Sequence, residues 1–122
     1  MKKYKNCVIY SLSGNSSECI LWHYSGKFYM GGWKNNDANE GEKGGLGIEY
    51  IPGKHVYKGQ FLGGKKNGSG ILKNSNGNIY DGQWIDGVKN GRGVYFEANT
   101  KTIYSGEWKD GKRDGYGLLK FS

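Results

Sequence analysis

The stretch that decides the fold is IYDGQWIDGVKNGRGVYF, residues 79–96. It holds a Y-x-G-x-W motif at residues 80–84 and a G-x-G motif at residues 91–93. Side chains alternate between faces in a strand, so the tyrosine, glycine and tryptophan of the first motif share one face. Between the two motifs lies Asp86-Gly87, a residue pair that tolerates the positive φ of tight turns. The stretch therefore predicts one β-hairpin.

This pair of motifs occurs four times along the chain. Y-x-G-x-(W/F) is found at residues 29–33, 57–61, 80–84 and 104–108. G-x-G follows at residues 45–47, 68–70, 91–93 and 115–117, so the pairs advance by 23, 23 and 24 residues. The first copy carries a five-residue insertion between Asn35 and Lys43, which we interpret as a surface loop. Such a fixed period is the signature of a tandem-repeat architecture.

The repeats predict an all-β fold, a single-layer antiparallel meander of tandem β-hairpins. We expect eight to ten short strands in a twisted ribbon that spans on the order of 40 Å and curls into a groove. The four repeats are assigned to residues 29–50, 57–73, 80–96 and 104–121, within the region 28–122. Residues 1–27 are interpreted as a degenerate N-terminal capping repeat, in which Ser17 and Cys19 stand at the G-x-G positions.

Glycine and aromatic residues dominate the composition. The chain has 23 glycines in 122 residues and 15% aromatic residues, against an ordinary glycine share of roughly 7%. We expect rings to lie over the bare backbone of the G-x-G glycines, with Trp84 over Gly91 or Gly93. Such rings would offset the ~0.5–1 kcal/mol that glycine costs in regular structure.

The net charge and the cysteines limit the possible partners and the cellular location of the protein. The formal net charge is +7, which favours acidic partners without choosing among them. Cys7 and Cys19 lie in no metal or redox spacing, so reduced thiols are expected. Because no apolar run approaches a signal-peptide core or a membrane span, we expect a cytoplasmic protein.

No catalytic, cofactor or metal site is predicted. His23 and His55 stand apart from any cysteine or paired carboxylate at a useful spacing. We interpret both histidines as solvent-facing strand residues. The G-x-G pairs lack the G-x-G-x-x-G spacing and the following helix that phosphate binding requires.

Three surfaces are candidate partner sites. A partner-binding groove is predicted to be lined by Tyr57, Tyr80, Trp84, Tyr104 and Trp108, although structural packing is the alternative role for each ring. A basic ridge at the hairpin tips is predicted from Lys65, Lys66, Lys89, Arg92, Lys112 and Arg113, with solubility as the alternative. An open edge for a partner strand or a second copy is predicted at Leu118, Leu119 and Phe121.

The repeated motif resembles the MORN family, the membrane occupation and recognition nexus repeat. The resemblance covers Phe28 to Leu119, with Phe61 in place of the usual tryptophan. It implies a rod-like scaffold of cytoskeletal or ciliary assemblies, or an accessory to an enzyme. We therefore expect a non-enzymatic scaffold or adaptor that binds a protein partner. The alternative is peripheral binding to anionic phospholipid through the basic ridge, whereas nucleic-acid binding is not favoured because the rings are committed to packing.

Overall fold

The computed structural model describes the backbone of residues 2–4, 7–11, 18–35 and 41–121, and the side chains of residues 19–33 and 42–121. Over these residues the chain forms one sheet of eleven strands, in which each strand pairs with its sequence neighbours. The strands are β1 (Lys2–Tyr4), β2 (Cys7–Ser11), β3 (Glu18–His23), β4 (Phe28–Asn35), β5 (Gly41–Ile51), β6 (His55–Leu62), β7 (Lys65–Asn74), β8 (Ile79–Ile85), β9 (Val88–Glu97), β10 (Thr102–Lys109) and β11 (Lys112–Lys120). The predicted all-β antiparallel meander is confirmed, with one strand more than expected.

Each repeat is one hairpin, formed by β4–β5, β6–β7, β8–β9 and β10–β11. The first strand carries Y-x-G-x-(W/F) and the second carries G-x-G. In the third repeat Gly82 lies opposite Gly93, and the other repeats share this glycine pairing. The turn residues Asp86 and Gly87 have φ of 48° and 84°, as a tight type I′ hairpin turn requires.

The first glycine of each G-x-G motif is needed for its backbone conformation. The register shifts by two residues beside this glycine in all four hairpins, which marks a β-bulge. The first glycines have φ values in the left-handed region, namely Gly45 75°, Gly68 92°, Gly91 95° and Gly115 78°. Only glycine adopts this conformation without steric cost. The first glycine therefore shapes the bulge and does not lie beneath a ring.

The second glycine of each motif holds the tyrosine ring of its own repeat. A Cβ atom at Gly93 would overlap the ring of Tyr80, and the same holds in the other repeats. The Tyr80 hydroxyl donates a hydrogen bond to the Gln83 carbonyl at 2.7 Å, which fixes the ring over the glycine. The prediction that Trp84 covers Gly91 or Gly93 is wrong. Tyr80 covers Gly93, and a Cβ atom at Gly91 would meet the side chain of Gln83.

Tryptophan connects each repeat to the one before it. The Trp84 indole N–H donates to the Gly70 carbonyl at 3.0 Å, and its ring packs edge-to-face on Tyr80 of its own repeat and on Tyr57 of the preceding repeat. Trp108 repeats this arrangement one unit later, with its N–H on the Gly93 carbonyl at 3.1 Å. The core of the described residues is therefore a single row of rings that crosses the sheet.

The N-terminal strands extend the same sheet. Cys19 on β3 lies opposite Gly31 on β4, as Gly70 on β7 lies opposite Gly82 on β8. The Cys19 thiol is free and buried, and burial raises its pKa to about 11. The side chains of Cys7 and Ser17, and residues 36–40 of the insertion, lie outside the described residues.

We predict that Trp84→Ala lowers the free energy of unfolding by ~3–5 kcal/mol, because it removes a buried ring and the hydrogen bond to the preceding repeat. Trp22→Ala is the matched control, since this tryptophan is 55% exposed, and Lys65→Ala should also change stability little. Urea unfolding followed by circular dichroism measures all three. Equal losses for the two tryptophans would contradict the role assigned to the row of rings.

Candidate functional site

The two faces of the sheet differ in how they are covered. One face, the ring face, carries the tyrosines and tryptophans of the repeat motif. Alternation along the strands places the other set of side chains, such as Ile71 and Asp81, on the opposite face, which we call the open face. The chain has no second layer over either face within its described residues. Each face must therefore be covered by its own side chains or remain in contact with solvent.

Basic side chains cover the ring face. Lys89 places its Nζ atom 5.3 Å from the centre of the Tyr80 ring and 5.1 Å from that of Trp108. Its alkyl chain contributes apolar contact while the ammonium interacts with the ring faces. Burial lowers the pKa of Lys66 and Lys89 below the usual lysine value. The equivalent positions are Lys43, Lys66, Lys89 and Arg113, each two residues before the first glycine of G-x-G.

The prediction that rings line an accessible groove is wrong. The five side chains proposed for it are only 0–8% exposed, because each ring packs on its neighbours and lies beneath a basic side chain. Their role is structural packing. The residues are Tyr57, Tyr80, Trp84, Tyr104 and Trp108.

The residues predicted to form one basic ridge lie on different parts of the sheet surface. Three of its members cover the ring face, namely Lys66, Lys89 and Arg113. Lys65 and Lys112 are exposed at hairpin turns, and Arg92 is exposed on the open face between two glycines. The repeat pattern places these six residues at one end of the hairpins, but it does not show on which face of the sheet each side chain lies. Lys43 was missed, although its spacing to Gly45 is the same as in the other repeats.

A second repeated contact was not found from the sequence. The side-chain carbonyl of Gln83 accepts a hydrogen bond from the Arg92 backbone N–H at 2.8 Å. Gln60 and Glu107 accept from the equivalent backbone N–H groups, at 2.8 Å and 2.9 Å. These side chains satisfy a donor that the β-bulge removes from the regular ladder. The residue before the aromatic position is therefore structural, and the first repeat has Gly32 there.

Glu49 makes the first repeat different on the ring face. It stands in the register position that Leu72 has in the second repeat. Lys43 lies 2.8 Å from its carboxylate and His55 lies 2.9 Å away. Burial would raise the pKa of Glu49, but the hydrogen bonds from His55 and Lys43 and the charge of Lys66 lower it. The interpretation of His55 as a solvent-facing residue is therefore wrong.

The open face holds most of the exposed apolar surface. Fifteen large hydrophobic side chains are exposed among the described residues, and twelve of them lie on this face. Isolated exposed apolar residues are ordinary, whereas a continuous apolar patch marks an interaction site. The twelve are Trp22, Leu46, Tyr50, Val56, Leu62, Ile71, Ile85, Val88, Val94, Ile103, Tyr116 and Leu118.

One row of side chains crosses the open face from β4 to β11, and we call it the central row. Its members are consecutive cross-strand partners: Met30, Ile48, Lys58, Ile71, Asp81, Val94, Ser105 and Leu118. Two cavities of about 620 Å³ and 670 Å³ lie beside this row, and Asp81 lines both. Glycines form their floor. Together the cavities form a trough that runs across the strands.

The predicted edge lies at β11, the outermost strand of the described sheet on its C-terminal side. Leu118, Leu119 and Phe121 are all exposed. Leu118 belongs to the open face, whereas Leu119 lies opposite Tyr104 on the ring face. The three side chains therefore do not form a single apolar surface.

Comparison with known families agrees with this geometry. The family model of the MORN repeat matches residues 57–79, 80–98 and 104–122, which together make up half of the chain. The chain belongs to the MORN repeat family. No curated protein matches its sequence significantly. The three matched segments are the repeats that share the glutamine or glutamate contact, whereas the first MORN-like unit departs from them at Gly32 and Glu49.

The described residues form no helix that could span a membrane. They also contain no group of three or more histidine, cysteine, aspartate or glutamate side chains placed to hold a metal ion.

The ring face makes stability depend on alkaline pH. Burial raises the pKa of Tyr57 and Tyr80 from 10.0 to about 12. A raised folded-state pKa contributes stability that is fully present below pH 10 and is lost as the pH rises toward 12. We predict that the free energy of unfolding falls across this range, which denaturation at stepped pH measures. Tyr80→Phe should make the fall shallower, and an unchanged slope would contradict the assignment.

Proposed function

We propose that this MORN protein is a non-enzymatic scaffold that binds a protein partner through its open face. The observation that carries the proposal is the concentration of exposed apolar side chains on that face, twelve of the fifteen in the described residues. A monomer that leaves such a face in water has an unfavourable surface, and a partner would remove it from solvent.

The ring face supports the proposal because its side chains have structural roles. Its ionisable groups are engaged in packing or in ion pairs, since Lys66 and Lys89 lie over rings and Glu49 is paired with Lys43 and His55. The shifted pKa values of Lys66 and Lys89 follow from burial. The charges of the ring face are therefore already engaged in its packing, which favours the open face as the surface for recognition.

The proposed setting is a cytoplasmic assembly in which this chain is a small subunit. A cytoskeletal or ciliary structure is the setting that the MORN resemblance implies. The outer edge of β11, with exposed Leu118 and Phe121, is a second place where a strand of a partner could pair.

The first test is affinity purification of the tagged chain from cells that express it, with mass spectrometry of the bound proteins. We expect a stoichiometric partner that the double variant Ile71→Arg, Val94→Arg loses, because two charges would be buried without partners in the interface. The matched control is Ser75→Arg, Asn99→Arg, which adds the same charge in two turns. Equal recovery of the partner with both variants would contradict the proposal.

A second candidate function is peripheral binding to anionic phospholipid. One specific observation favours it: exposed Leu62, Ile85 and Val88 lie at the same hairpin ends as exposed Lys65 and Lys112. Apolar residues beside basic ones suit the interface of an anionic membrane, where each basic residue is worth ~1 kcal/mol. The net charge of +7 acts in the same direction.

Vesicle sedimentation separates this candidate from the first. If it holds, the chain should pellet with phosphatidylserine-containing vesicles at about 0.05 M salt and remain in solution at about 0.5 M salt. The variant Lys65→Glu, Lys112→Glu should then stay in the supernatant, whereas the open-face variant should still pellet. Recovery of the chain in the supernatant at both salt concentrations would remove the membrane function.

A further inference from the structure

We propose that the partner segment recognised by the open face is an amphipathic α-helix that lies in the trough along the central row, perpendicular to the strands. The inference rests on the proposed function and specifies the chemistry of the partner. It is carried by the spacing of the central row, by its charge pattern and by the bare floor of the trough.

The spacing of the row matches an α-helix. Aliphatic side chains occur on every second strand at Ile48, Ile71 and Val94, so they are ~9.6 Å apart. Seven residues of α-helix rise ~10.5 Å, which brings one helical position to each of these side chains. An extended strand presents one face every ~6.8 Å and falls out of step after one repeat. The row therefore fits a helix with one apolar position in each heptad.

The charges of the row fall between its aliphatic residues. Lys58 lies between Ile48 and Ile71, and Asp81 lies between Ile71 and Val94. Both charged side chains are exposed, and neither belongs to an ion pair within the described side chains. On a helix, the position three or four residues after each apolar anchor faces these charges. The matching helix carries an acid opposite Lys58 and a base opposite Asp81.

The floor of the trough allows close approach. Glycines from seven strands line the two cavities, and they present backbone without side chains to an occupant: Gly31, Gly47, Gly59, Gly70, Gly93, Gly106 and Gly117. The central row crosses eight strands, a distance of ~34 Å. A helix of roughly 22 residues spans that distance. The trough can thus hold a rod-shaped partner along its whole length.

The test uses three designed helical peptides of equal length against the full chain. All three carry leucine at every seventh position, and they differ only at the two intervening positions. The first peptide has one glutamate and one lysine there, the second has two glutamates and the third has two lysines. A helix can lie in either direction, and the mixed peptide can adopt the direction that places its glutamate opposite Lys58 and its lysine opposite Asp81. Fluorescence anisotropy measures affinity, and amide shifts of the isotope-labelled chain locate the peptide.

We expect the wild-type chain to prefer the mixed peptide. Lys58→Glu, which leaves two acids in the row, should prefer the peptide with two lysines. Asp81→Lys, which leaves two bases, should prefer the peptide with two glutamates. Each mismatch of one charge should weaken binding roughly fivefold. Both substitutions replace exposed side chains, so we expect them to leave the unfolding curves unchanged. An unchanged curve confirms that the variant is folded.

The outcomes separate this inference from the proposed function. Equal affinities across the series, no binding by any peptide, or amide shifts confined to the ring face or the turns would overturn the helix. If the purified partner is still lost with Ile71→Arg, Val94→Arg, the open face remains the binding face, and its occupant is a second copy of the chain or an extended segment. If that partner is retained while the peptides bind as expected, the proposed function fails but the trough remains a helix-binding site.

Discussion

The structure depends on one contact, the tyrosine ring that lies on the second glycine of its own repeat. A methyl group at Gly93 would occupy the place of the Tyr80 ring, so the glycine and the ring require each other. Once the ring lies there, its hydroxyl reaches the Gln83 carbonyl and its edge meets the tryptophans on either side. The eight glycines of the four G-x-G motifs follow from this requirement and from the bulge that the first glycine forms.

A single-layer sheet normally lacks a way to bury one of its faces. Here the ring face is closed by long basic side chains that extend over the rings, so aromatic surface is removed from water without a second sheet or a helix. Among the described residues, Ile71 and Val94 on the open face have no such cover and remain exposed. This asymmetry between a self-covered face and an exposed face is the basis for placing the proposed partner site along the central row.

The sequence predicted the fold well, because a fixed period, alternating motifs and Asp-Gly turns determine a meander of hairpins without long-range information. It did not predict which surface is accessible. Whether Tyr80 lines a groove or is buried depends on Lys89, which lies nine positions away in the sequence. The hairpin tips alone did not show that the Lys89 side chain lies over the Tyr80 ring. The repeated K/R-x-G-x-G spacing could have indicated that a basic side chain covers the rings. In the same way, the glutamine or glutamate before the aromatic position could have indicated the contact with the bulge. The central row could not be found, because cross-strand partners on the open face are defined only by the register that the bulges impose.

The indole hydrogen bond gives the array a direction, since Trp84 of the third repeat and Trp108 of the fourth each donate to a glycine carbonyl of the repeat before. At the junction of the first and second repeats the aromatic residue is Phe61, which has no N–H to donate. That junction is instead bridged by charge, because Glu49 of the first repeat meets His55 and Lys66 of the second. In a linear array whose stability is the sum of nearest-neighbour couplings, the junctions are thus of two kinds. The ionic part of the first coupling can be weakened by salt and by protonation of Glu49, whereas the indole hydrogen bonds at the later junctions carry no net charge.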